Sequence, residues 1–228
     1  MSDRLSREHL ESDALVSGYA RAYEIYHQHK NSIIFGTLAV LLLIGGGIWY
    51  YMDVQVQEQQ AQEYLSYAEQ LFQQGEYEQA LHGDDEGSTI GFAGIANDFS
   101  RTSAGNLAKY YAAVSESRLG NNEEALAFIE QFNPPDGILG VGPISFHAAM
   151  LSNLGEYDRA VEIYIKAAEW DDNDVTTPQN LLNAAEAALE AGDESKANEY
   201  VTRIIDDYGD SGFVADARRM QGMLSARN

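Results

Sequence analysis

"LGEYDRAVEIY", residues 154–164, carries the phrase Gly-x-Tyr-x-x-Ala, and "GEYEQA" at 75–80 repeats its centre almost letter for letter. The repetition is wider than these two copies. Gly75, Gly120, Gly155 and Gly192 are each followed five residues later by Ala80, Ala125, Ala160 and Ala197. Each is also preceded by seven residues by Ala68, Ala113, Ala148 and Ala185. The frame Ala-x6-Gly-x4-Ala therefore occurs four times, its glycines 45, 35 and 37 residues apart, and a period of this size points to a stack of similar units.

The frame has a physical reading as a joint between helices. Glycine ends one helix and turns the chain, because it takes positive φ without steric cost. The alanines on either side then mark where two antiparallel helices cross closely, and a larger side chain would hold them apart. Apolar residues continue the second helix at helical spacing from its alanine: Ile129, Tyr164 and Ala167, Val201 and Ile204. In the opening phrase Gly155 turns the chain, Tyr157 and Tyr164 fill space, and Ala160 lets two helices touch. The phrase is expected to be architecture and to touch no partner itself.

The wider first gap points to an insertion. After Leu81 comes "HGDDEGST", a polar, glycine-containing turn segment, followed by "IGFAGIANDFSRTSAGNLA". "IANDFSRTSAGNLA" (95–108) aligns with "IIDDYGDSGFVADA" (204–217), matching Ile95 with Ile204, Asp98 with Asp207, Phe99 with Tyr208 and Ala108 with Ala217. Both read as helix end, turn and next helix start. The second helix of the first repeat is thus expected to break at the loop and resume near Ile90. Residues 211–225 are expected to form a closing helix, which a solenoid requires at its end.

Charge excludes several functions. The 228-residue chain has 36 acidic and 14 basic residues, a net charge of -22, so it lacks the basic footprint that nucleic-acid binding needs. The same acidity favours solubility, in a saline setting above all, and offers a charged surface to basic partners. There is no cysteine, which excludes disulfides, thiolate metal sites and the lipid attachment of a bacterial lipoprotein.

Membrane attachment instead rests on "IIFGTLAVLLLIGGGIWYY" (33–51), within a stretch from Asn31 to Met52 that has no charge. A bilayer core needs about 20 helical residues, and Trp49, Tyr50 and Tyr51 cluster where aromatic rings favour the interface. Gly45, Gly46 and Gly47 are tolerated in such a span. Arg21 and Lys30 precede the segment and no Lys or Arg follows it before Arg101, so positive-inside logic places the N-terminus in the cytoplasm. The expected organisation is a cytoplasmic tail at 1–31, a transmembrane signal anchor at 32–52 and an outer helical-repeat domain at 53–228. In the tail, Leu15, Tyr19, Tyr23 and Tyr26 share helical spacing and predict a short amphipathic helix at the membrane surface. His27 and His29 point in different directions on that helix and read as polar headgroup-level residues.

No chemistry can be nominated. "DDNDVTTP" (171–178) and "GDDEG" (83–87) lack the alternating frame of a calcium loop and read as solvated loops. "GILGVGP" (137–143) has no preceding strand to make it a phosphate cradle. Thr176 and Thr177 are capping candidates for a helix begun by Pro178. His82 and His147 stand alone, and no catalytic, cofactor-binding or metal-ligating residues are expected. Binding is better supported, because stacked helical pairs make a concave surface from their first helices. On the Ala-to-Gly frame its inward positions are Leu65, Glu69, Phe72, Tyr110, Val114, Arg118, Ser145, Ser152, Asn153, Gln179, Leu182 and Glu186. Only Arg118 is basic among them, which disfavours capture of a peptide carboxylate and favours a partner helix or extended segment with apolar anchors. Leu65, Phe72 and Val114 fit packing between repeats equally well.

The repeated residues resemble the tetratricopeptide repeat family. The third copy matches best, with Ala148, Leu151, Gly155, Tyr157, Ala160, Tyr164 and Ala167; the first has Ala68, Leu71, Gly75, Tyr77 and Ala80. The second departs at Glu116 and Asn122, and the fourth at Glu194. The implied fold is all-α: a transmembrane helix followed by a solenoid of about four helical hairpins and a capping helix. The arrangement as a whole resembles the YfgM-like family of bacterial inner-membrane proteins. "GNLAKYYAA" (105–113) and "TTP" (176–178) also look like features of related envelope tetratricopeptide proteins. The resemblance implies a single-pass inner-membrane protein with a periplasmic repeat domain and no cofactor. Its implied partners are proteins, namely Sec translocon subunits and a PpiD-like periplasmic chaperone, with no nucleic acid and no small-molecule substrate. Its implied function is a non-enzymatic ancillary subunit that hands emerging proteins to chaperones. A structural or scaffold subunit of another envelope complex is the alternative.

Overall fold

The structure is a computed structural model that describes residues 2–84 and 89–226. Among the described residues, ten helices run in the order α1 (Ser2–Gln73), α2 (Tyr77–His82), α3 (Phe92–Asp98), α4 (Ser103–Leu119) and α5 (Asn122–Ile129), then α6 (Ile138–Asn153), α7 (Tyr157–Trp170), α8 (Thr176–Glu190), α9 (Glu194–Asp207) and α10 (Val214–Ser225). The chain divides into two compact units, Met1–Gln55 and Val56–Asn228.

In the first unit the helix leaves helical geometry at His29, where φ is -119° and ψ is 18°. From Tyr26 onward, α1 is long and apolar enough to cross a membrane; its most apolar window has mean hydropathy 2.1 and no buried share. Among the described residues it is the single such helix. Thr37 satisfies its hydroxyl within the apolar stretch by donating to the Ile33 carbonyl at 2.8 Å. Tyr19, Tyr23 and Tyr26 are exposed, and the His27 ring lies against those of Tyr23 and Tyr26. The side chain of Leu15, expected to share their face, lies outside the described residues.

The second unit is a run of helical hairpins. All four turn glycines take positive φ, from 78° at Gly155 to 91° at Gly120. The residue after each glycine donates its N–H to the carbonyl five positions back: Glu76 to Leu71, Asn121 to Glu116, Glu156 to Leu151 and Asp193 to Ala188. This bond closes the end of the first helix with carbonyls that would otherwise be unpaired. The eight flanking alanines, Ala68, Ala80, Ala113, Ala125, Ala148, Ala160, Ala185 and Ala197, are all buried to within 1 %. Ile129, Tyr164, Ala167, Val201 and Ile204 are buried on the second helices as well.

The first hairpin's second helix is broken, as the wide glycine gap leads one to expect. α2 ends at His82, Gly83 forms an isolated antiparallel bridge with Ile90, and α3 begins at Phe92. Gly91 sits against the α2 backbone so closely that a Cβ there would lie 2.4 Å from the Leu81 carbonyl. Most of "GDDEG" falls at 85–88, outside the described residues. The closing helix, α10, occupies Val214–Ser225.

Two large apolar clusters, and a small third one of Val141, Ile144 and Ala167, form the interior among the described residues. One large cluster gathers Ala61, Leu65 and Ala68 of α1 with Leu81, Phe92, Ile95 and Ala104, Ala108 and Ala112 of α4. The other runs from Ala113 of α4 through Leu151, Tyr164, Leu181 and Val201 to Leu224. Long-range polar contacts tie the loops between hairpins. The Glu58 carboxylate accepts from the Ser103 N–H at 2.6 Å and the Ala104 N–H at 3.2 Å, capping α4 from α1. Asn106 and Asn133 exchange two bonds of 2.9 Å, and the Trp170 indole donates to the Pro135 carbonyl at 3.0 Å.

One local expectation needs correction. Thr176 and Thr177 do not cap α8 through their hydroxyls. Asn173 does this instead, its Oδ1 accepting from the N–H groups of Val175 and Thr176 at 3.0 and 2.9 Å. Thr177 is buried and donates its hydroxyl to the Ala168 carbonyl at 3.1 Å, which ties α8 to α7. Of the glycines in "GILGVGP", Gly140 serves packing at the start of α6. A Cβ on Gly140 would lie 2.1 Å from the Pro135 carbonyl and 2.4 Å from the Trp170 indole nitrogen.

One buried polar atom is expected to make folding pH-dependent. The His147 Nε2 atom is buried without a hydrogen-bond partner, in a 120 Å³ pocket with Ile144, Ile163 and Lys166. Burial holds its pKa below the usual histidine value; Glu130 opposes this, while Arg159 and Lys166 add to it. A depressed folded pKa means that the unfolded chain binds the proton more readily. This contribution is therefore complete above the unfolded value of about 6.5 and is lost as pH falls below it. Thermal melting at about pH 8 and about pH 5 should show a larger loss for the native chain than for His147→Gln. Equal losses in the two chains would remove His147 as the cause.

Candidate partner-binding face

The inward positions expected from the sequence do not share one environment. Leu65 and Leu182 are buried in the two cores. Phe72 is half-buried and packs edge-on against Tyr77 at 5.2 Å and Tyr111 at 5.4 Å, which makes it a contact between repeats. Tyr110 is half-buried beside Phe132 and Phe146 at 5.6 and 6.1 Å, and burial pushes its phenol pKa up. Glu69 and Val114 are half-buried; the Glu69 carboxylate accepts a hydrogen bond from Tyr111. Burial, then the Glu69 charge, then that hydrogen bond raise the Tyr111 phenol. Ser145 and Ser152 are half-buried, whereas Arg118, Asn153, Gln179 and Glu186 are exposed.

Of these residues, Ser152 and Glu186 are brought together. They line a 350 Å³ pocket with Tyr157, Tyr164, Asn183, Ala187, Leu189 and Glu190. Its walls come from the end of α6, one face of α7 and the C-terminal half of α8. Tyr164 is buried and its hydroxyl is hydrogen-bonded to Ser152, so its ring is a fixed wall. Although Glu186 is exposed overall, the pocket walls shield its carboxylate in part from water and raise its pKa; the charge of Asp216 adds to this, and Arg219 pulls against it. Tyr157 and Tyr164 were expected to be space-fillers, and both reach this pocket as well. Leu189 and Glu190 escaped the sequence reading, although a signal for them existed. They stand four and five residues after Ala185, the offsets that mark Ser152 and Asn153 after Ala148. A larger hollow of 710 Å³ between α1 and α2 is lined at one end by Gly83 and Asp84.

The electrostatics of the unit are one-sided. Residues 53–228 hold 31 acidic and 10 basic residues. Several of the cations are occupied: Arg159 by Glu130 and Glu156, Lys196 by Asp193, Arg203 by Glu169 and Asp207, and Arg219 by Asp216. The acid surplus is left facing solvent. Among the described residues no group of three or more His, Asp and Glu side chains is placed to hold a metal ion. His82 lies 3.8 Å from Glu78 on its own helix, and His147 is half-buried with its Nε2 atom enclosed.

No protein-family model and no curated protein matches the sequence. Among solved structures the chain is similar to the nearly identical TPR-like repeats of a Podosopora anserina protein described as a kinesin light chain. The identity is 12 %, the TM-score 0.51, and the match covers 73 % of this chain and 93 % of the other. The fold is therefore an all-α, TPR-like solenoid of helical hairpins that follows one long apolar helix. Such a fold presents side chains along a stack of helices, which suits the binding of proteins.

Proposed function

We propose that this chain is a non-enzymatic protein–protein interaction module held to a bacterial inner membrane by the apolar segment of α1. Its N-terminus lies in the cytoplasm and its helical repeats in the periplasm. There it serves as an ancillary subunit of the Sec translocon and links emerging proteins to a PpiD-like chaperone. The observation that supports this most is the pairing of a TPR-like solenoid with a single apolar helix near the N-terminus. The helix keeps the module near a membrane complex, and the solenoid supplies surface without chemistry. The distribution of Lys and Arg around the apolar segment supports the orientation. The strong acidity fits a surface that repels nucleic acid and anionic lipid and attracts basic protein segments.

Affinity purification of the full chain from membranes in mild detergent tests this reading. Recovery of Sec subunits together with a membrane-anchored chaperone is the expected result. Recovery of a defined complex without Sec subunits would overturn the translocon role in favour of a scaffold in another envelope assembly.

A further inference from the structure

We propose that the pocket between α6, α7 and α8 receives a cationic side chain, lysine or arginine, presented by a segment of a partner protein. The inference rests on the interaction-module reading and adds the chemistry by which the solenoid recognises its partner. Glu186 and Glu190 stand four residues apart on α8, so their carboxylates project from one face of the helix. Like charges so placed repel one another, and among the described residues neither carboxylate has a hydrogen bond or an ion pair. The nearby cation, Arg219, is bonded to Asp216 at 2.8 Å, and Asp216 adds negative charge from α10. Arg219 is thus the one cation that acts on Glu186, and it is shared with Asp216, so three carboxylates face a single guanidinium and the site holds an acid surplus.

The other walls suit the same occupant. Tyr157 and Tyr164 offer ring surface, over which an ammonium or guanidinium group is held by the negative face of the ring. Ser152 and Asn183 add polar atoms at the rim. The volume, 350 Å³, sits at the low end of the range of about 300–1,000 Å³ for ligand pockets and suits one long side chain with part of its backbone. An anionic group would meet two carboxylates, and a purely apolar one would leave them facing each other unpaired. A bare metal ion lacks the third ligand it would need.

The test uses the full chain in mild detergent and fluorescence anisotropy with a labelled peptide of alternating lysine and leucine. A peptide with glutamate in place of lysine is the control. The native chain should bind the lysine peptide, more weakly as salt rises, and should not bind the glutamate peptide. The double variant Glu186→Gln with Glu190→Gln should bind it at least roughly tenfold more weakly, as expected for losing charge-assisted bonds. A second double variant, Glu123→Gln with Glu124→Gln, removes the same charge from the start of α5 and should bind as the native chain does. Because partial shielding from water already disfavours ionised Glu186, the pocket variant should melt no lower than the native chain. Unchanged affinity in the pocket variant, or an equal loss in the α5 variant, overturns the proposal. Either result would do so even where the membrane purification recovers partners, so the two readings fail separately.

Discussion

Phe92→Ala is expected to destabilise the helical-repeat unit by about 3–5 kcal/mol, because the site cannot collapse around the missing ring. Phe92 is the bulkiest fully buried side chain and opens α3, the resumed half of the first hairpin's second helix. Its ring stacks on Tyr111 at 5.0 Å with an interplanar angle of 12°, and Phe72 meets it edge-on at 6.1 Å. Removing it leaves the Tyr111 ring without its stacked partner and takes one of the three rings that pack against Phe72. Gly91 packs against the Leu81 carbonyl, which prevents α3 from sliding inward to fill the space. For a unit of this size the melting temperature should fall by roughly 10 °C, read by circular dichroism of the full chain in detergent. A fall of only a degree or two would mean that α3 is peripheral to the core.

Gly105→Ala is expected to be destabilising by about 3 kcal/mol, although helix propensity alone predicts a gain of about 1 kcal/mol. Gly105 lies in the first turn of α4, and a Cβ there would stand 2.0 Å from the Phe99 carbonyl oxygen. That oxygen cannot swing aside freely. It accepts from the Thr102 N–H at 2.9 Å and from the Thr102 hydroxyl at 2.7 Å. The same hydroxyl accepts from the Gly105 N–H at 2.9 Å and so caps the helix. Relieving the clash costs these bonds, at about 1 kcal/mol each, and outweighs the propensity term. Gly222→Ala supplies the contrast, because Gly222 lies in α10 with nothing within 4 Å of its added Cβ. It should raise the melting temperature slightly. If Gly105→Ala did the same, the packing at the start of α4 would be looser than described.

The parts of this molecule that sequence reveals are those whose cause is local. A glycine that must take positive φ, with alanines where helices cross, repeats because each hairpin solves the same problem. The eight alanines and four glycines are accordingly legible by inspection. So is the broken helix after Leu81, since an insertion shows as an irregular interval. What sequence did not reveal depends on contacts between distant residues. Glu58 caps a helix that starts 45 residues later, and nothing in its own neighbourhood marks it. Asn173 displaced the threonines as the cap of α8 because Thr177 is drawn inward to the Ala168 carbonyl. The candidate binding face was legible only as a set of offsets. Which of its carboxylates remain unpaired depends on where Asp216 and Arg219 arrive from α10, and those lie 30 and 33 residues beyond Glu186.

α4 belongs to both large interior clusters: Ala104, Ala108 and Ala112 face one and Ala113 faces the other, with Phe128 of α5 touching both. Cooperativity in such an array passes only between neighbours, so a single helix shared by two cores works as a splint. The hairpins after it can keep their packing while those before it open. Amide protons on the two sides of α4 would then exchange at separate rates, and a partner seated on α6–α8 would hold its grip while the first hairpin breathes.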